Sequence, residues 1–182
     1  MGLFDFVGKL FKGEQEKRSG SFLDPSNFGR TGSVAVTQDS ALTFSAVWAA
    51  VRILSESVAQ LPINLIERQP NGDKIVRADH FLYNIIHNKP NEYMTNFTFI
   101  QKIMYDLAVG GNSYVKIERN GSGRPVALYP ILLSDIEIRE LEEKIFYYNS
   151  KTGEALEYEE ILHFKIMSQD GMVGLSPIDT CA

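Results

Sequence analysis

The sequence predicts an α+β fold in which N-terminal helices and hairpins precede a mainly antiparallel β meander. Two observations carry the prediction. From Leu42 to Val109 the large apolar residues recur mainly at steps of three and four, which gathers them on single faces of helices. From Ser113 onward the period falls to two, and turn-forming clusters at Asn120 to Gly123, Ser134-Asp135, Glu142-Glu143 and Lys151-Thr152-Gly153 leave segments of strand length between them. Helices followed by strands, without alternation, point away from the parallel α/β architectures.

Residues 1–41 divide into two parts. Met1 to Phe11 sets Leu3, Phe4, Val7, Leu10 and Phe11 at helical spacing with Asp5, Lys9 and Lys12 on the other side, and so reads as a short amphipathic helix. Two lysines make a weak membrane anchor, and Phe6 stands where the myristoylation pattern requires Ser or Thr, so docking on a protein surface is the expected use. Gly13 to Asp39 is rich in Gly, Ser, Thr, Asn and Asp and reads as a flexible arm that a partner orders.

The packed domain is expected over residues 42–175. Thr43 is placed to cap a helix whose apolar positions are Phe44, Val47, Trp48, Val51, Leu54, Val58 and Leu61, a single stripe closed by Pro62. That stripe is expected to be buried with Trp48 central in the core, where truncation to Ala would cost about 3 to 5 kcal/mol. Ile63 to Arg68 and Ile75 to Arg77 flank Pro70-Asn71-Gly72 and form a hairpin. A short helix from Phe81 to His87 stops before Pro90, and a longer one from Phe97 through Val109 ends at Gly110-Gly111. Strands follow around Tyr114 to Glu118, then at Val126 to Leu133, Ile136 to Glu140, Ile145 to Tyr148 and Ile161 to Ile166. In residues 176–182, Ser176 is a favoured helix cap, Pro177 suits the first turn and Asp179 reaches back to it. One turn does not recover its nucleation cost, so this stretch reads as the start of a truncated helix and the chain as an N-terminal fragment.

Composition narrows the function. With 182 residues the chain is one domain or part of one, long enough for a core without metal or disulfide support. Cys181, the single cysteine, cannot form an intrachain disulfide, which makes a reducing compartment the default. The stretches Phe44 to Val51 and Val126 to Leu133 fall far short of the roughly 20 residues of a spanning helix. Of the net charge of −5, Ser134 to Glu160 carries −6, from nine acidic and three basic residues, and the remainder sums to +1. Solvated strand faces account for that segment; the sharper alternative is a wall along which DNA slides. Lys17-Arg18 is the longest basic run, so no stripe for tight nonspecific DNA binding is present.

A search for chemistry assigns no catalytic, cofactor-binding or metal-ligating residue. Neither Gly110-Gly111-Asn112-Ser113 nor Gly121-Ser122-Gly123-Arg124 supplies the lysine and hydroxyl of a P-loop. His80, His87 and His163 do not have zinc spacing, and Glu160 to His163 has the spacing of half a di-iron site without a helix or a second copy. A hydrogen bond at a strand end is the expected role of His163. Cys181 lacks an activating partner. A metal-dependent nuclease would need Asp73 and Asp79 to converge on magnesium, whereas their plain reading is solvated hairpin residues.

Several short motifs, in order, resemble the HK97-type portal proteins of tailed bacteriophages almost end to end. They are Met1-Gly2-Leu3-Phe4, Ser45-Ala46-Val47 with Ala59-Gln60-Leu61-Pro62, Lys89-Pro90-Asn91, Gly111-Asn112-Ser113-Tyr114, Leu128-Tyr129-Pro130, Glu160-Ile161-Leu162-His163 and Gly174-Leu175-Ser176-Pro177. Phe81 departs from the pattern, where the family often has proline. The resemblance implies the wing region of a portal subunit over 42–175. It implies a homo-oligomer, typically a dodecameric ring, at the portal vertex of the virion, assembled in the bacterial host cytoplasm. Double-stranded DNA would pass through the channel without specific binding, and terminase, major capsid and neck proteins would dock on the ring. Such a protein is no enzyme, needs no cofactor and binds no membrane, and none of the motifs designates a partner-binding residue. The alternatives are a non-functional prophage remnant and a membrane-associated adaptor anchored by Met1 to Phe11.

Overall fold

The structure, a computed structural model, describes residues 38–141 and 144–181. The amphipathic segment Met1 to Phe11, the arm up to residue 37 and the Glu142-Glu143 turn lie outside the described residues. The elements in chain order are α1 (Gln38–Leu42), α2 (Ser45–Ala59), β1 (Ile66–Arg68), β2 (Lys74–Val76) and α3 (Phe81–Tyr83), which widens into a π-helical turn at Asn84–Asn88. Next come α4 (Asn96–Gly110), β3 (Asn112–Arg119), β4 (Pro125–Ile131), β5 (Ile136–Leu141), β6 (Lys144–Asn149), β7 (Glu154–Glu157), β8 (Ile161–Lys165) and α5 (Pro177–Cys181). The fold is α+β, with helices against antiparallel sheets.

Local chemistry sets the boundaries. At the start of α4, Thr95 Oγ1 accepts from Thr98 N–H at 3.3 Å while Thr98 Oγ1 accepts from Thr95 N–H at 3.0 Å, so two orphan donors are satisfied reciprocally. The helix ends where Gly111 adopts φ 72°, a left-handed cap that closes on Leu107 O. The β1–β2 hairpin turns through Gly72 at φ 91°, with Asn71 Oδ1 accepting from Asp73 N–H at 3.1 Å.

The strands form the hairpin β1–β2 and two three-stranded sheets, ordered β4-β3-β8 and β5-β6-β7. The meander is therefore interrupted. β8 does not continue beside β7 but returns to β3, in a register running from Asn112↔Lys165 to Lys116↔Ile161. β7 is absent from the sequence expectation because it is four residues long and half acidic, with Leu156 as its one fully enclosed side chain.

β3 divides the interior. Successive strand residues face opposite ways, so Val115 joins Ile85, Phe99, Ile103, Leu107 and Leu128 on the helical side. Tyr114 joins Ile136, Tyr147, Leu156 and Ile161 between the two sheets. The layers run α2, α4, the β3 sheet and the β6 sheet.

The outer helix differs from expectation. Residue Phe44, not Thr43, occupies the cap position of α2, with no side-chain cap bond. α2 buries Val51, Ser55 and Ala59, while Phe44, Trp48, Leu54 and Leu61 are 63%, 49%, 54% and 61% exposed. Small side chains on that face let α2 approach α4 closely, and Ser55 satisfies its own hydroxyl by donating to Val51 O at 2.7 Å. Of the expected stripe Val51 is buried and Val47 and Val58 are half-buried, but the packing face is rotated toward Ser55 and Ala59, which leaves Phe44, Trp48, Leu54 and Leu61 outside it. Trp48 rests edge-on against Tyr105 at 6.5 Å instead of filling the core.

The predicted cost of Trp48→Ala is revised accordingly, to below about 2 kcal/mol, against about 3 to 5 kcal/mol for Phe99→Ala in the core. Urea denaturation of the two variants distinguishes the assignments, since equal losses would return Trp48 to the core.

Candidate functional site

Three of the motifs that stand apart in the sequence, those of Asn112, His163 and Ser176, meet in space at the end of α4. β3 begins at Asn112 as soon as Gly111 turns the chain, and β8 and the segment before α5 come back to that point. Asn112 lies at the centre. Its Nδ2 donates to Gly110 O at 3.0 Å and to Gly174 O at 2.8 Å. Its Oδ1 accepts from Gly174 N–H at 2.7 Å and from His163 Nε2 at 3.0 Å. Both amide protons and both lone-pair directions are occupied, so this buried side chain is satisfied.

The arrangement fixes the histidine tautomer. Two carbonyl acceptors orient the amide nitrogen of Asn112, which leaves its oxygen toward His163, so Nε2 carries the proton. Nδ1 then accepts from the Tyr147 hydroxyl at 3.3 Å. Tyr114 stacks obliquely on the imidazole at 4.5 Å between ring centroids. Burial, with help from nearby Lys165, lowers the His163 pKa from the usual 6.5 to about 4. Burial pushes the Tyr114 hydroxyl up to about 12 and raises that of Tyr147. All three rings are neutral at pH 7.

Two glycines make the approach possible. A Cβ on Gly111 would collide with the Leu175 carbonyl, and one on Gly174 with the Gly111 carbonyl. Gly111 O in turn accepts from Ile166 N–H at 3.0 Å, closing the end of β8 onto the α4 cap. Ser176 donates to Val109 O at 2.8 Å while its oxygen accepts from Asp179 N–H at 3.1 Å, capping α5 as expected and anchoring it to α4. A second latch lies midway along β4, where Asn91 Nδ2 donates to Leu128 O at 2.7 Å and Leu128 N–H to Pro90 O at 2.8 Å.

The other titratable residues weighed in the sequence are engaged locally and apart from this junction. His80 Nδ1 accepts from Leu82 N–H at 3.2 Å to cap α3, and His87 Nδ1 contacts Ile63 O at 2.7 Å. Asp79 pairs with Arg77 at 2.8 Å, which holds its carboxyl down to about 2, and Asp73 accepts from Asn71 at 2.7 Å. Glu160 accepts from Glu157 N–H at 2.9 Å, in the turn before β8. Asp106, buried, takes Lys102 and Ser113 as partners between α4 and β3. Among the described residues no three His, Cys, Asp or Glu side chains group as metal ligands, and no helix is long and apolar enough to cross a membrane. Tyr147 is the participant that sequence reasoning missed. Its only signal was an aromatic at an inward strand position.

Comparison with known proteins points one way. Residues 45–182 match the family described as phage portal protein. The portal protein of Enterobacteria phage HK97 is 29% identical over 174 residues, covering 94% of this chain and 40% of that protein. Protein BeeE of Escherichia coli K12 is 36% identical over 80 residues, covering 43% of this chain and 50% of that protein. The chain thus spans about half, or less, of the length of these relatives. Among solved structures, an HK97 family phage portal protein from Corynebacterium diphtheriae superposes with a TM-score of 0.54 at 21% identity, over 76% of this chain and 43% of the other. The neck of a native gene transfer agent particle, computed with C12 symmetry, gives 0.56 at 14% identity, over 75% and 36%. At these identities the structural likeness speaks for the fold.

Two expectations follow from the junction. Gly111→Ala should cost on the order of 3 kcal/mol, because strain at positive φ adds to a backbone collision; chemical denaturation reads it, and a loss below about 1 kcal/mol would contradict the close crossing. The second concerns pH. His163 is neutral when folded down to about pH 4 but protonates near 6.5 when unfolded. Between these values the unfolded chain binds more protons, so this group makes stability rise with pH through that window and adds nothing further above it. His163→Gln should shrink the stability difference between pH 7 and pH 5; an unchanged difference would mean that His163 is not held neutral.

Proposed function

The chain belongs to the phage portal protein family, and on that premise we propose that it forms the wing-like part of a portal subunit. In this reading residues 42–175 are the wing-like domain, 1–41 an N-terminal arm, and 176–182 the opening of a helix that continues the subunit. Subunits close into a homo-oligomeric ring, dodecameric as the symmetry of the gene transfer agent neck suggests. The ring sits at the portal vertex of the virion after assembly in the host cytoplasm. Double-stranded DNA passes through it during packaging and ejection, while terminase, capsid and neck proteins dock on it. The role is structural and not enzymatic.

The observation that carries this reading is that three of the portal-like motifs, those of Asn112, His163 and Ser176, converge on one polar junction whose hydrogen bonds go mainly to backbone, while Asn91 and Leu128 of two others form a second latch. Asn91, Asn112 and Ser176 each tie distant segments together. Residues at those positions hold a shape, which is what a ring subunit must present to its neighbours. The acidic stretch Ser134 to Glu160, carrying −6, supports a surface that DNA passes without gripping.

Expression from the native reading frame followed by electron microscopy tests the proposal. Closed rings with a central channel are expected, and a persistent monomer at high concentration would overturn it. In filter binding at low salt the described domain should retain no duplex DNA; tight, salt-sensitive retention would contradict the passive conduit.

A further inference from the structure

Between α2 and α4 lies an apolar groove of about 500 Å3 whose lining includes Val47, Ala50, Leu54, Met104, Ala108 and Pro177. The core does not fill it, and the junction at Asn112 does not use it. Three observations indicate what covers it. The sequence Met1 to Phe11 sets five large apolar residues on one helical side and Asp5, Lys9 and Lys12 on the other, so as a helix it has an apolar side to bury and a charged side to leave in water. Such a helix is about 16 Å long, and the walls of the groove are 15-residue helices of about 22 Å. The described chain also begins beside the groove. Gln38 donates to Asp179 at 3.1 Å and to Ser176 at 3.5 Å, on either side of groove-lining Pro177.

The connection from residue 12 to residue 37 has 26 residues. As a coil it would average about 28 Å end to end, enough to reach any point along the groove. A tether of this length presents its segment at an effective concentration on the order of millimolar, without a second molecule. We propose that Met1–Phe11 seats its apolar side in the α2–α4 groove of its own chain, as the third helix of that layer, in the helix-in-groove mode. This stands apart from the portal reading, since it concerns only how one chain covers its own surface.

The test is cross-linking in the full chain. In a Cys181→Ser background, Val7→Cys paired with Ala50→Cys should form an intrachain disulfide under mild oxidation, at a yield independent of protein concentration and on the order of ten times that of Val7→Cys with Lys74→Cys. Disulfide-linked dimers in place of the intrachain product would put the segment in another copy and overturn the proposal, as would a yield no higher than the control. A second measurement needs no cysteine. Deleting residues 2–12 should raise apolar dye binding several-fold as the groove opens. Unchanged dye binding, or anionic vesicles that bind the full chain through this segment while the groove stays open to dye, would also overturn it.

Discussion

The fold depends on a strand that has no solvent face along its first half. From Asn112 to Val115, β3 is buried on both sides, by α4 on one and by the second sheet on the other. A two-sided strand cannot slip by one residue without driving Ser113 and Val115 into the aromatic cluster and Tyr114 into the helical core. The register with β4 and β8 is therefore fixed by packing before any turn contributes. α4 feeds directly into this strand, so the position of the helix is fixed by the same constraint. The left-handed Gly111 is the hinge that makes so abrupt a transition possible.

Around this strand the two halves of the molecule are held differently. The helical side is a conventional apolar core, with the Lys102–Asp106 pair and Ser113 as a polar tie at the top of α4. The sheet side is aromatic and partly polar, with Tyr114, Tyr147 and His163 in mutual ring contact and Lys116 reaching across to Glu154 at 2.7 Å. The Lys116–Glu154 pair is half-buried and still partly screened by water, so it contributes modestly to stability on its own. It sits, however, where β3 faces β7, and so helps define how the acidic sheet is carried on the central one. That sheet hangs from Ile136, Tyr147 and Leu156 and turns Glu137, Glu140 and Glu157 outward.

Much of the architecture was legible from sequence, for local reasons. α4, its Gly111 cap, the Gly72 hairpin and the cap at Ser176 depend on a few neighbouring residues whose chemistry has one solution. The burial of α2 was legible only in part, because Val51 belongs both to the large stripe and to the face of Ser55 and Ala59, and only the partner helix decides how far the buried face is rotated. β7 was hidden by its length and its two glutamates. The return of β8 to β3 escaped for a different reason. Pairing across 51 residues leaves no trace in either segment, so His163 could be assigned a hydrogen bond without its partner being known, and it makes that bond from the middle of β8 instead of the expected strand end. The motifs were visible as a string, and the convergence of three of them on Asn112, across as many as 62 residues, was not.

The way polar groups are used bears on what kind of protein this is. A site for chemistry keeps donors, acceptors or titratable groups open toward a substrate and tunes them near the working pH. At the junction described here Asn112 uses all four of its hydrogen-bonding capacities, and Ser176 both donates and accepts. His163 has both nitrogens engaged and is neutral well below pH 7. Most of these bonds end on backbone atoms of turns, at places where two glycines permit contact that no side chain would allow. Polar groups committed in this way fix the relative positions of helix, sheet and terminal segment. In the ring proposed above, that fixed geometry is what each subunit would repeat to its neighbours.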